Sequence, residues 1–129
     1  KNTFRWGKEY PPPSQTGNFA GDSIKEEGEK IIGYNDGFTV SSPVASFVSN
    51  NKGLFDMSGN VAEWVHDFYN ARPETRPEQD PLGPIGGTSH VIKGSSWKCS
   101  SKASLKSSYR TFQEKGASDI GFRIARYAR

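Results

Sequence analysis

Twelve residues, Gly53-Leu54-Phe55-Asp56-Met57-Ser58-Gly59-Asn60-Val61-Ala62-Glu63-Trp64, constrain the fold of this chain more than any other stretch. They concentrate carboxylates, glycines and an amide where the backbone must turn sharply. Phe55 and Trp64 can anchor that turn to a core. Hard oxygen donors on a turning backbone suit a structural cation site in a loop-rich domain.

The chain has 129 residues, enough for one domain at most or for part of one. Only 33% of it is hydrophobic, lean for a self-sufficient core, but 8 Phe, 5 Tyr and 3 Trp compensate because each ring buries a large area. Aromatic and β-branched residues recur along most of the chain, which argues against disorder. The 14 glycines and 8 prolines favour turns over long helices. A net charge of +3 with scattered basic residues reads as a solvated basic surface, not a nucleic-acid stripe, although an anionic ligand fits it too. Cys99 is the only cysteine, so no disulfide forms within the chain and the redox compartment is not readable from it. No apolar run reaches membrane-spanning length. The chain starts at Lys1 without a methionine, as a processed or cut product would, so a missing signal segment carries no weight.

Residues 1–53 read as mostly irregular. Tyr10-Pro11-Pro12-Pro13-Ser14 excludes a helix there, Asp22 to Lys30 makes one helical turn or a loop, and Phe38 to Val48 offers short β-prone pieces broken by Pro43. Val61 to Tyr69 alternates as a strand, with Val61, Glu63, Val65, Asp67 and Tyr69 on one face and Ala62, Trp64, His66 and Phe68 on the other; helical spacing also fits Val61, Trp64, Val65 and Phe68, and the β-branched and aromatic content favours the strand. Asn70 to Gly87 reads as a loop, His90 to Lys93 as a strand, Leu105 to Phe112 as an ordered segment of undecided type, and Thr111 to Asp119 as a polar loop. Ile120 to Arg126 alternates apolar and basic residues as a final strand. The sum is a small irregular sheet under long loops, which usually needs a staple such as a metal.

Several segments occur in an order that carries a resemblance: Phe4-Arg5-Trp6-Gly7, Gly17-Asn18-Phe19-Ala20-Gly21, Ser42-Pro43-Val44-Ala45-Ser46-Phe47 and Gly53 to Trp64. His66-Asp67-Phe68-Tyr69, Val91-Ile92-Lys93-Gly94-Ser95-Ser96-Trp97, Tyr109-Arg110 and Gly121-Phe122-Arg123 follow. Together they resemble the sulfatase-modifying-factor family, which includes the formylglycine-generating enzymes, over nearly the whole chain. Gly94-Ser95-Ser96-Trp97 departs from the family's usual Gly-Gly-Ser-Trp. The resemblance implies an α+β fold with little regular secondary structure, a variant of the C-type-lectin-like fold. It also implies that residues 1–129 are the C-terminal portion of one such domain. The N-terminal half, whether in the same polypeptide or a second chain, would then be a partner.

The resemblance further implies one or two structural calcium ions. The first site would take the side chains of Asn18 and Asp36 and the carbonyls of Phe19 and Phe38. The second would take the side chains of Asp56 and Glu63 and the carbonyls of Gly59 and Val61. In the oxidising members copper is held by a Cys-His-x-x-x-Cys pair. Cys99 matches its first cysteine, but Ser100 stands at the histidine and Ser104 at the second cysteine. Serine is a poor Cu(I) ligand, so the copper chemistry is read as absent and Cys99, with Lys98 and Lys102 as basic neighbours, as a non-catalytic thiol.

His66 and Asp67 are strand neighbours and form no dyad, His90 has no clear partner, and no nucleophile elbow or phosphate loop is present. The resulting reading is a non-catalytic module binding a protein or small ligand through the loops of residues 98–119. Trp97, Cys99, Tyr109 and Arg110 would lie at the base of that surface, with core packing the competing role for Trp97. Arg110 and Arg123 are alternatively internal ion-pair partners. The competing functional readings are a copper oxidase making formylglycine and a fragment of a related sulfoxide synthase. An extracytoplasmic location, periplasmic, surface or secreted, is expected ahead of a cytoplasmic one.

Overall fold

The computed structural model describes residues 3–72 and 83–126. It contains four strands: β1 (Ala62–Phe68), β2 (His90–Lys93), β3 (Arg110–Gln113) and β4 (Ile120–Gly121). They form one sheet in the order β3-β2-β1-β4. β1 runs antiparallel to β2 and parallel to β4, and β2 runs antiparallel to β3.

β1 forms where the sequence concentrates aromatic and β-branched residues. Its partner positions are Glu63 with Lys93, Trp64 with Ile92 and Phe68 with His90. Between Trp64 and Phe68 the register shifts, so β1 spends more residues than β2 over the same span. The alternation expected from Val61 to Tyr69 is therefore interrupted at this irregularity. β4 reaches β1 because residue 121 is glycine: a Cβ there would stand 2.9 Å from Val61 Cγ2.

Three expectations are corrected. Thr111 to Gln113 belong to β3 instead of a polar loop, because β2 offers them a ladder from His90–Gln113 to Lys93–Arg110. The final strand covers Ile120–Gly121 alone, since Phe122 to Arg126 have no partner strand among the described residues. Strands and turns, without a helix, make up the described residues, so the α component is not found there. Asp22 to Lys30 is turns and bends, and Phe38 to Val48 forms no strand. The expected loop from Asn70 to Gly87 lies partly outside the described residues.

The core sits in the loops. One cluster joins Phe4, Phe19, Ile31, Tyr34 and Leu105, with Trp6 and Cys99 packed against it, and a second joins Ala20, Ile24 and Trp97. None of these residues is in a strand. Rings supply the cohesion: Phe4 stacks on Trp6 at 5.0 Å, Trp6 meets Phe19 at 5.5 Å, and Phe19 meets Tyr34 at 5.8 Å. The sheet contributes Ala62, Val91 and Ile92 to the buried interior.

Candidate functional site

The loops of residues 17–21 and 34–38 meet at a buried carboxylate. Asp36 Oδ2 accepts the Phe19 N–H at 2.9 Å, while Oδ1 accepts the Phe38 N–H at 2.9 Å and the Ser23 hydroxyl at 3.0 Å. Asn18 precedes Phe19 and is only 1% exposed. Its Nδ2 donates to the Val40 carbonyl at 2.7 Å, which fixes the orientation of the amide. Oδ1 is then buried without a protein partner. Leaving such an oxygen unpaired costs about 1–3 kcal/mol. Asn18, Phe19, Asp36 and Phe38 are thus brought together, with one acceptor still unsatisfied. The Phe19 carbonyl already accepts the Gly21 N–H at 2.7 Å.

Residues 56–63 are arranged differently. Asp56 takes φ of +53° and its Oδ2 accepts the Ala45 N–H at 2.8 Å. Glu63 is neutralised by Arg123: Nε lies 2.9 Å from Oε2 and Nη2 lies 2.5 Å from Oε1. This two-pronged pair is the strong form of a guanidinium–carboxylate contact. The hydrogen bond to Glu63 holds the Arg123 pKa above its ordinary value, against partial burial, and the Glu63 and Asp56 charges add to it. The internal ion pair considered for Arg123 is therefore present. Asp56, Val61, Glu63 and Arg123 line one groove, and the Arg123 charge interacts with both carboxylates.

Between these loops lies a hub that sequence reasoning missed. Asn60 is buried with φ of +63°. Its carboxamide closes a two-bond ring with the backbone of Ser42, accepting from N–H at 3.0 Å and donating to C=O at 3.1 Å. Its own N–H donates to Asn18 C=O, and its C=O accepts Trp97 N–H. Gly59, with φ of +89°, lets the loop press on Asn18, whose carbonyl oxygen would lie 2.7 Å from an added Cβ. Ser58 and Ser95 pair through their hydroxyls at 2.9 Å. The available signal was Gly59-Asn60 itself, two residues tolerant of positive φ in succession.

Cys99 lies on a turn after the Trp97 cluster. Its Sγ accepts the Ser96 N–H at 3.4 Å and sits 3.6 Å from the Ser96 hydroxyl, which bonds Asp119 Oδ2 at 2.6 Å. Ser104, five residues on, is turned to its own loop: its Oγ donates to Ser101 C=O at 2.9 Å and accepts from Ser101 Oγ at 3.0 Å. Trp97 is a core residue, with Lys98 Nζ 4.8 Å from its ring. Arg110 lies 4.8 Å over the Tyr69 ring and donates to Asn70 C=O at 2.6 Å. Lys93 donates to the Tyr109 carbonyl at 2.8 Å, and burial, then the Arg110 charge, lowers its pKa. Trp97, Cys99, Tyr109 and Arg110 thus surround the loop without converging on one point. His90, expected to lack a partner, contacts the His66 carbonyl through Nδ1 at 3.0 Å and packs on Phe68 at 4.4 Å.

Comparison with known proteins gives a family match, to the sulfatase-modifying factor enzyme 1-like domain, across residues 1–128. The chain belongs to this family. Among relatives of this sulfatase-modifying-factor chain, the formylglycine-generating enzyme of Mus musculus is 31% identical over 134 residues, covering 95% of the chain and 33% of the relative. The inactive C-alpha-formylglycine-generating enzyme 2 of the same organism is 33% identical over 129 residues, covering 95% and 36%. Among solved structures, PvdO from Pseudomonas aeruginosa matches with a TM-score of 0.64 and 30% identity, over 90% of the chain and 40% of PvdO. The chain thus spans about a third of the length of the curated relatives it matches.

Proposed function

We propose that this chain is part of a calcium-stabilised, C-type-lectin-like, formylglycine-generating-enzyme-like domain that binds a protein or small ligand and carries no copper oxidase chemistry. The observation that carries the reading is the state of the Cys99 turn. The single thiol is packed against the aromatic cluster and engaged by Ser96, while the hydroxyl at Ser104 is engaged by Ser101. A Cu(I) centre selects soft thiolates, and one sulfur with a turned-away hydroxyl supplies half of a two-cysteine site. The loops of residues 98–119 are left to serve as the contact surface, with Tyr109 and Arg110 at its base.

Calcium fits the first loop pair. The unpaired Asn18 Oδ1 and the Asp36 carboxylate are the mixed amide and carboxylate oxygens that the ion takes. The set of Asp56, Gly59, Val61 and Glu63 fits less well as it stands, because Arg123 already neutralises Glu63. A second ion there requires Arg123 to release Glu63. A modest oxygen cage suits the calcium concentrations met outside the cytoplasm.

Three measurements on the complete gene product test the reading. Calcium at a hundredfold excess over Kd stabilises by about 2.7 kcal/mol, a rise in Tm of roughly 3–5 °C for a product as long as the matched relatives. Asn18→Ala is expected to remove that rise; an unchanged calcium response in the variant defeats the Asn18–Asp36 assignment. Titration with Cu(I) is expected to show no stoichiometric site, and a Cys-x-Pro-x-Arg peptide no conversion to formylglycine. The competing oxidase reading draws on the 31% identity to the mouse enzyme, and turnover of that peptide decides in its favour.

A further inference from the structure

Glu63, Lys93 and Arg110 stand in one row across the sheet, since Glu63 pairs with Lys93 and Lys93 with Arg110. Cross-strand partners project to the same face, and like charges directly opposite one another are destabilising. The carboxylate of the row is already committed, because Glu63 is held by Arg123. Lys93 and Arg110 are thus adjacent cations, and among the described residues neither has an ion-pair partner. The fold also keeps them from swinging apart into solvent. Lys93 Nζ donates to the Tyr109 carbonyl at 2.8 Å and to the Ser107 carbonyl at 3.3 Å. Arg110 is tied to the Asn70 carbonyl and lies over the Tyr69 ring, which stacks in turn on Phe112 at 4.3 Å. Both cationic residues are partly buried.

We infer that Lys93 and Arg110 form a site for an oxyanion, a carboxylate or phosphate group carried by the ligand, beside the Tyr69–Phe112 stack. Three observations support it. The backbone carbonyls that hold the two cations supply no neutralising charge, so the like-charge pair of β2 and β3 lacks a counter-ion among the described residues. The donors are not used up: Lys93 spends two of the three N–H groups of an ammonium, and Arg110 one of the five of a guanidinium. The open part of the guanidinium fork matches two oxygens of a carboxylate or phosphate, and the ammonium adds a point charge beside it. Finally, stacking on Tyr69 holds Arg110 in place before binding, which reduces the ordering cost of capture. Phe112, 48% exposed, gives the rest of the ligand an apolar flank. The inference rests on the proposed contact surface of residues 98–119 and gives it a ligand chemistry; the Cu(I) and peptide measurements decide the wider reading separately.

Titration calorimetry on the complete gene product tests it, with sodium phosphate and sodium acetate each compared with sodium chloride at equal ionic strength. Saturable binding of at least one oxyanion and none of chloride is expected, and the tighter of the two identifies the group as phosphate or carboxylate. Arg110→Gln is expected to weaken that binding about tenfold or more, because it removes charge-assisted hydrogen bonds. Lys8→Gln, at an exposed site, is expected to leave it unchanged. Heats that do not distinguish the oxyanions from chloride overturn the proposal, as does undiminished binding by a folded Arg110→Gln protein. If Arg110→Gln does not fold, the side-chain N–H resonances of Arg110 in the unaltered protein decide. They shift on titration if the site is theirs, and their failure to move overturns it.

Discussion

The carboxamide of Asn60 reaches Ser42 with both of its polar ends, while the residue's backbone holds Asn18 and Trp97. Asn60→Ala removes two buried hydrogen bonds, strands the Ser42 backbone groups and puts alanine at φ of +63°. A loss of about 2–4 kcal/mol is expected from urea denaturation. Asn60→Asp keeps the acceptor and loses the donor, so it should also destabilise. Tyr34 gives a pH signature at the same scale. Its hydroxyl donates to Gly17 C=O in the aromatic core, and burial pushes its pKa up to about 12. The folded state then holds this proton more tightly than the unfolded state, whose tyrosines titrate near 10. The stabilisation is complete below about pH 10 and is lost as pH rises toward about 12. Tyr34→Phe is expected to flatten the alkaline limb of a stability–pH curve, though it loses the Gly17 bond at neutral pH.

Among the elements, β1 and β2 were legible because their residues carry enough β-branched and aromatic character to indicate strands without knowledge of partners. β3 was not, because Arg110-Thr111-Phe112-Gln113 is mostly polar and becomes a strand only through the free edge of β2. The opposite error at Phe122 to Arg126 has the same origin, since alternation states what a strand would bury without supplying the neighbour. The register shift in β1 is invisible to any periodic reading. One element-scale prediction concerns the fastening of β4. Glu63 and Arg123 are partly exposed, so Glu63→Gln should cost about 1 kcal/mol. The loss should shrink as salt rises, which denaturation at low and high ionic strength will read.

At the scale of the whole molecule, loops carry both the core and the candidate cation site, and the sheet serves as a frame behind them. Of the two ligand sets, the sequence made their residue types legible but not their neighbours. Asp36 accepts the N–H groups of Phe19 and Phe38, whereas Glu63 is paired with an arginine sixty positions away. Proximity along the chain indicates neither the Phe19–Asp36 bond nor the Glu63–Arg123 pair. The Cys99 turn was legible in its chemistry, because Ser104 is read directly from the sequence, but the Ser96 contacts to Cys99 and to Asp119 belong to the folded turn and are not announced by spacing.

The knot at Asn60 also sets an order of events during synthesis. Its two backbone ties reach back to residue 18 and forward to residue 97, and β4 joins β1 later still. The tie to residue 18 can close once Asn60 has been released, whereas the tie to Trp97 and the joining of β4 to β1 wait for the later segments. Closure of such wide loops costs entropy before contacts repay it, which makes folding slow and concerted. The rings of Phe4, Trp6, Phe19 and Tyr34 can meet early but lack Leu105 until late, so chaperone demand should persist until Leu105 leaves the exit tunnel.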